Sequence, residues 1–263
     1  MTEPGRSALK PGHWVLIGLV VLLVAGLVAV VISRSDGDSP HAQTTTPTVS
    51  PSTSALPACQ PTVTEIGYTR DGARFDVGLI AASDCPAAAV DSQVEVSAIG
   101  EDGRPVKVSD ALQPQLPVIL PGQKLGLAAT LLLDDRSAKV TRLQATITGA
   151  VPVPTAEFAG WARSVTVTGI THTGPDARGL STITGTVTTD PASTALCNPQ
   201  FNLILRDKAN KIIYGTTGTA RTPTFQERFP AATDYDNTQV YVVQGAPATL
   251  SIDLAATASC RSQ

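Results

Sequence analysis

The chain has few aromatic residues and few of the charged residues and histidines that build charged and metal-dependent sites. Aromatic residues make up 4% of it and charged residues 16%, and it has only three histidines and one methionine. The formal net charge is −3, so there is no basic field to attract nucleic acid or an anionic lipid surface. This composition argues against a nucleic-acid-binding protein and leaves few residues from which a metal cluster could be assembled.

Catalytic signatures are also missing. The sequence contains no G-x-S-x-G, H-E-x-x-H, P-loop or G-x-G-x-x-G pattern. His13 precedes a long apolar run and His41 lies in a linker, so a serine-histidine-carboxylate site would have to use His172. His172 lies in a Thr-His-Thr-Gly segment between strand patterns, where a solvated loop histidine is the simpler interpretation. We therefore predict no catalytic residues and no cofactor.

Two acidic clusters offer oxygen ligands. Asp134 and Asp135 end a strand pattern, where a polar turn is expected more than a glycosidase carboxylate pair. Asp234, Asp236 and Asn237 place three oxygen-bearing side chains within four residues, which suits calcium. That cluster lacks the twelve-residue loop and distal glutamate of a calcium-binding hand, so we predict an Asx-rich turn and no metal.

What the sequence does have is one long apolar run, from Trp14 to Ile32. As a helix it would be about 28 Å long, close to the roughly 30 Å hydrocarbon core of a bilayer. We predict a transmembrane helix over residues 14–32. A cleaved secretory signal is the alternative, but its apolar region is usually shorter, about 7–15 residues, and no convincing A-x-A site follows the run.

The flanking charges give the orientation of this anchor. Arg6 and Lys10 precede the run, and Arg34 alone follows closely. The positive-inside rule then places a tail of residues 1–13 in the cytoplasm and residues 33–263 outside. The predicted localisation is a single-pass protein of the cell membrane with extracytoplasmic domains.

Cysteine usage supports the same orientation. All four cysteines follow the apolar run, and an even number in an exported region indicates two disulfides. Metal ligation is disfavoured because no C-x-x-C occurs. Of the three possible pairings we prefer Cys59–Cys85 and Cys197–Cys260, because each pair then stays inside one predicted domain.

A segment rich in Ser, Thr and Pro follows the anchor and includes TTTPTVSPSTS. It has too few aliphatic residues to bury a core, so we predict a disordered stalk over residues 33–57. The stalk is either O-glycosylated or a plain spacer.

Beyond the stalk, apolar and polar residues alternate with period two, as in half-buried strands. One set of strand patterns ends near Val153 and a second begins near Val165, with Pro152 and Pro154 between them. The predicted fold is all-β, with two tandem Ig-like β-sandwich domains over residues 58–154 and 155–263. "Ig-like" describes the architecture alone, because neither preferred disulfide brackets a tryptophan.

The second domain also resembles the FxLYD family of small bacterial extracytoplasmic β-sandwich modules. The residues that carry the resemblance are Phe201 to Asp207, FNLILRD, followed by Asn210 to Gly215, NKIIYG, with ITGTV at 183–187 before them. The chain departs from the family by an extra Leu205-Arg206 before the aspartate. The resemblance implies a β-sandwich outside the cytoplasm.

Most aromatic residues fall in the second domain. Aromatic residues and arginine are the usual anchors of protein interfaces. We therefore predict a possible partner-binding surface from five residues of the segment 221–241, namely Arg221, Phe225, Arg228, Tyr235 and Tyr241. The alternative is that the phenylalanines and some tyrosines fill the core.

These features favour a non-enzymatic binding protein of the cell envelope, held in the membrane by one helix. Its expected partner is another envelope protein or a wall glycan. The second hypothesis is a structural accessory subunit of a membrane transport or wall-synthesis complex, and the third is a membrane-anchored enzyme. The sequence leaves the ligand and the oligomeric state open.

Overall fold

A computed structural model describes residues 56–159, 164–190, 196, 199–221, 224–230 and 234–245. The predicted tail and anchor, nearly all of the predicted stalk, and both Cys197 and Cys260 lie outside these residues. Within the described ranges, no helix is long and apolar enough to cross a membrane.

The described chain is all-β, as the alternating pattern predicted, and its strands pair antiparallel. A single 3₁₀ turn, Thr155–Phe158, interrupts the strands. In chain order the strands are β1 Thr62–Asp71, β2 Arg74–Ala82, β3 Ala88–Gly100, β4 Val108–Leu112, β5 Gln115–Ile119, β6 Lys124–Leu133, β7 Val140–Thr148, β8 Val151–Val153, β9 Ser164–Thr173, β10 Leu180–Asp190, β11 Gln200–Arg206, β12 Ile212–Arg221, β13 Thr224–Pro230 and β14 Asn237–Val243.

Strands β1 to β8 form two sheets that face each other. Sheet A has the order β1-β2-β6-β4, and sheet B has the order β5-β3-β7 with β8 beside β3. The apolar side of each alternating strand meets the other sheet, which buries Phe75, Val77, Leu79 and Ala81 of β2 completely. Phe158, beyond β8, packs against Val118 of this half as well.

Strands β9 to β14 form one six-stranded sheet, sheet C, in the order β14-β11-β12-β13-β10-β9. The first part of β12 pairs with β11 and its last three residues pair with β13. We call β11, β12 and β14 the near limb, and β9, β10 and β13 the far limb. The two limbs enclose a second core, whose fully buried members include Phe201, Leu203, Phe225 and Phe229.

Strand β2 is buried on both faces. Only Arg74 is exposed along it, although Asp76, Gly78 and Ile80 alternate with the core residues and belong to the opposite face. That opposite face of sheet A is covered by the near limb, where Ile80 joins Ile204, Ile212 and Tyr241 in a small apolar cluster.

The predicted disulfide Cys59–Cys85 is confirmed, with 5.6 Å between its Cα atoms. The pair Cys197–Cys260 stays a prediction. Residues Ser54–Gln263 form one compact unit, which contains both predicted domains. The division of that unit at residue 155 also stays a prediction.

Candidate functional site

The joint between sheet A and the near limb is organised by Arg206 at the end of β11. Alternation along β11 directs Leu203 and Leu205 into the second core and Arg206 toward sheet A. Its Nη1 atom lies 2.6 Å from Oε2 of Glu65 in β1, and its Nε atom donates to Oε1 of Gln239 at 2.9 Å. Although it is charged, Arg206 is only 3% exposed. Two strands from different sheets are thus tied by one guanidinium group.

Electrostatics keep this arginine charged. The hydrogen bond that Arg206 donates to Glu65 raises the pKa of Arg206, against the opposing effect of burial. The backbone carbonyl of Asn210 accepts a further hydrogen bond from Nη1 at 2.8 Å. The guanidinium therefore has acceptors on three elements, as a buried charge requires.

Tyr241 extends this network along β14. Its hydroxyl donates to Oε1 of Gln239 at 2.9 Å, the same oxygen that accepts from Arg206. Its ring lies against Gly126 of β6, where any side chain would collide with it. Burial raises the pKa of Tyr241, and the nearby Arg206 charge acts in the opposite direction. Two donors on one oxygen fix the orientation of the Gln239 carboxamide.

A groove of about 450 Å³ opens beside this network. Its walls come from the start of β6, from β9 and from β14, with a further glutamine just after β14. Its polar lining residues are Gln123, Gln239 and Gln244, the threonines Thr166 and Thr238, Tyr241 and the exposed Lys124. No carboxylate lines the groove among the residues that the structure describes. Such concave sites with a few fixed polar groups are the usual place for a ligand.

The structure does not bring together the four predicted surface residues whose side chains it describes. Tyr241 lines the groove, whereas Arg228 is exposed on the outer face of the far limb, opposite Thr182 in the register. Phe225 is 1% exposed and belongs to the second core, so its assignment to an exposed binding surface is wrong and the core alternative holds for it. Arg221 ends β12.

Tyr235 lies in a different place, in an aromatic cluster at one end of sheet C. The ring centroid of His172 is 5.6 Å from that of Tyr235 and 6.0 Å from that of Phe229. His172 was expected in a loop, but it lies in β9 and pairs in register with Ile183. His172 pairs with the fully buried Ile183, so it is on the side of β9 that faces the second core, although its own side chain is exposed.

The first acidic cluster forms a turn, and the second leads into β14. Asp134 pairs with Lys107 at 2.5 Å, and Asp135 accepts hydrogen bonds from the backbone and hydroxyl of Ser137, which lower the pKa of Asp135. The backbone N–H of Asp236 donates to the carbonyl of Arg206 at 2.8 Å. Across the described residues, no group of three or more His, Cys, Asp or Glu is close enough to hold a metal ion.

Comparison with known proteins adds no relative from which a function could be transferred. No protein-family model and no curated protein matches the sequence. Among solved structures, the β-D-glucuronidase of Dictyoglomus thermophilum is similar at 11% identity, over 65% of this chain and 36% of that enzyme, with a TM-score of 0.17. The chain thus spans little more than a third of that enzyme, and so low a TM-score carries no argument about fold or activity.

Proposed function

We propose that the protein is a non-enzymatic binding protein of the cell envelope. A helix over residues 14–32 anchors it, with residues 1–13 in the cytoplasm and a stalk over residues 33–57 outside. The stalk displays two tandem Ig-like sandwiches, residues 58–154 and 155–263. The observation that carries the proposal is the groove beside Tyr241, which combines a fixed carboxamide, hydroxyl groups and one ammonium group at the joint of the sheets.

The chemistry of this groove favours a wall glycan as the partner. Carboxamides and hydroxyls offer both donors and acceptors, which match the hydroxyl groups of a sugar. The ring of Tyr241 offers an apolar face with a polar edge. Lys124 supplies the single charge and suits a carboxylate on the glycan.

A separate observation favours the accessory-subunit hypothesis. Leu112 of β4 and Leu132 of β6 are 64% and 41% exposed. Leu112 pairs with Thr130, which is two residues before Leu132 on β6. The two leucines are therefore diagonal neighbours on one face of sheet A. Exposed neighbouring leucines are a feature of protein-binding patches.

The test uses the full chain in membranes and isolated wall material. We expect the unmodified chain to co-sediment with the wall, and Lys124→Glu and Thr166→Arg each to weaken binding about tenfold or more, because they change the charge or the width of the groove. Lys208→Glu is the matched control, since Lys208 is an exposed lysine in the turn after β11. Equal loss in the control, or no wall binding at all, would overturn the glycan proposal.

The accessory hypothesis gives a different result in the same preparation. Crosslinking would then capture one stoichiometric membrane partner, and Leu112→Asp would abolish that capture while Lys124→Glu would not. Catalytic turnover of wall material by the purified chain would contradict both hypotheses.

A further inference from the structure

Strand β1 is the first of the described strands and lies at one edge of sheet A. Among the described strands it pairs with β2 alone, in a register that runs from Thr62 opposite Ala82 to Asp71 opposite Arg74. A tight turn at Gly72 closes one end of this ladder. At the other end of this ladder, the N-terminal part of the chain leads into β1.

The disulfide closes that second end. Cys59 precedes Thr62 by three residues and Cys85 follows Ala82 by three residues, so the bond adds a covalent rung in line with the ladder. The segment that holds Cys85 is fixed in turn, because Ser83 exchanges two backbone hydrogen bonds with the turn before β6, at 3.1 and 2.7 Å. Cys85 itself is 4% exposed.

Strand β1 also carries much of the joint with the near limb. Glu65 is the partner of the buried Arg206, and the Thr69 hydroxyl donates to the carbonyl of Ile213 at 2.5 Å. At Gly67 a side chain would collide with the backbone of Ile212. Displacement of β1 would therefore leave Arg206 without its carboxylate and open the joint.

We propose that the disulfide is a clasp that keeps β1 on β2 when the chain is pulled from its N-terminal side, and so keeps the joint closed. A load at the end of a strand pair acts on one backbone hydrogen bond at a time, and a single such bond adds little net stability. Because the disulfide is covalent, a force applied before Cys59 is carried through it to the buried segment at Cys85. The hydrogen bonds between β1 and β2 are then not loaded. The source of the load rests on the proposed anchor, whereas the effect of the bond on β1 does not.

Hydrogen exchange tests the local effect without any load. In the full chain, Cys59→Ser combined with Cys85→Ser should speed amide exchange at Val63–Tyr68 about tenfold or more, with a smaller rise at Ile212 and Ile213. Strand β10 should change less than twofold. A change at β1 no larger than that at β10 would overturn the proposal. If the double variant fails to fold, the same comparison is made before and after reduction on a folded chain that carries Cys197→Ser and Cys260→Ser, so that Cys59–Cys85 is the bond that reduction breaks.

Single-molecule pulling between the two chain ends tests the clasp under load. After reduction, residues 60–71 should peel away first, in a low-force step of about 40 Å. The oxidised chain should lack this step. Its presence in the oxidised chain, or its absence after reduction, would contradict the clasp. Wall binding in the unloaded chain is measured in parallel, so failure of the clasp and failure of the proposed function are told apart.

Discussion

At the scale of single residues, Arg206 is the clearest case of a charge that the fold must accommodate. A buried guanidinium is costly unless it is paired and hydrogen-bonded. Here its partners Glu65, Gln239 and Asn210 come from β1, β14 and the turn after β11. A sliding of the near limb over sheet A would break several of these contacts at once, so Arg206 specifies how the sheets align.

We expect Glu65→Gln to lower the free energy of unfolding by about 1–3 kcal/mol. This is less than the 3–5 kcal/mol typical of a fully buried pair, because the Glu65 side chain is 47% exposed and the other acceptors of Arg206 remain. Urea denaturation measures the effect, and a double-mutant cycle with Arg206→Met isolates the pair. Lys139→Met is the control, since the exposed pair Lys139–Glu101 should contribute less than about 0.5 kcal/mol.

Tyr214 is a second residue whose surroundings affect the stability of the fold, in this case through its pKa. Burial raises the pKa of Tyr214 to about 12, and the negative charge of Asp76 acts in the same direction. Because the unfolded chain ionises this phenol near pH 10, its contribution to stability is complete below about pH 10. That contribution is lost as pH rises through about 12.

We therefore expect the free energy of unfolding to fall by about 2 kcal/mol more in the native chain than in Tyr214→Phe between pH 9 and pH 12. Parallel urea denaturation of the two proteins at each pH measures this difference. Phenolate absorbance gives an independent reading, because the variant should lack the component that titrates near pH 12. Identical pH profiles would show that Tyr214 ionises as freely in the folded chain as in the unfolded one.

At the scale of elements, β2 and β12 cross in close contact between sheet A and the near limb. A Cβ atom on Gly215 would collide with the carbonyl oxygen of Val77 and would lie 2.5 Å from Cα of Gly78. On Gly78 it would lie 2.9 Å from the Ile212 side chain. Glycine on both strands lets the two backbones meet directly, which sets the spacing of these layers.

Gly215→Ala should destabilise the protein by about 1–3 kcal/mol, because the atoms it meets are backbone and cannot rotate away. Gly174→Ala is the matched control, since nothing lies within 4 Å of a Cβ atom there. It should change stability by less than about 1 kcal/mol and is expected to be neutral or stabilising. Thermal and urea unfolding measure the change in stability of both variants. Equal effects at the two glycines would contradict the close crossing.

At the scale of the whole molecule, the described strands form successive layers, in the order sheet B, sheet A, near limb and far limb. The core between sheets B and A is apolar, and so is the core between the limbs. The layer between sheet A and the near limb combines glycines, a small isoleucine cluster and the Arg206 network. This middle layer explains why residues 54–263 form a single compact unit.

We expect residues 54–263 to unfold in one cooperative transition. Hydrogen exchange followed through a urea titration of the full chain should give the same midpoint for β3 and for β10. Two separate midpoints would mean that the predicted domains 58–154 and 155–263 unfold independently and that the middle layer contributes little.

Alternation was sufficient to predict the all-β class and the core face of β2, because a strand with one buried face repeats every two residues, but it did not place His172 in a strand or Phe225 in the second core. Along β2, alternation assigns Asp76, Gly78 and Ile80 only to the opposite face. The local sequence contains no signal that another sheet covers that face. A signal did exist at Arg206, where an apolar strand ends in a charge, but its partner Glu65 is 141 residues away. The groove could not be predicted for the same reason, since its walls come from three distant strands.

The sequence by itself determined the all-β class and the core face of strands such as β2, because both depend on local periodicity, and it favoured the confirmed disulfide Cys59–Cys85 through the even count of cysteines and a predicted domain division. Only the tertiary structure decided that β2 is covered on both sides, that Phe225 is core and that Tyr241 lines a groove. These depend on contacts between residues far apart in the chain, which the local pattern of polar and apolar side chains does not encode.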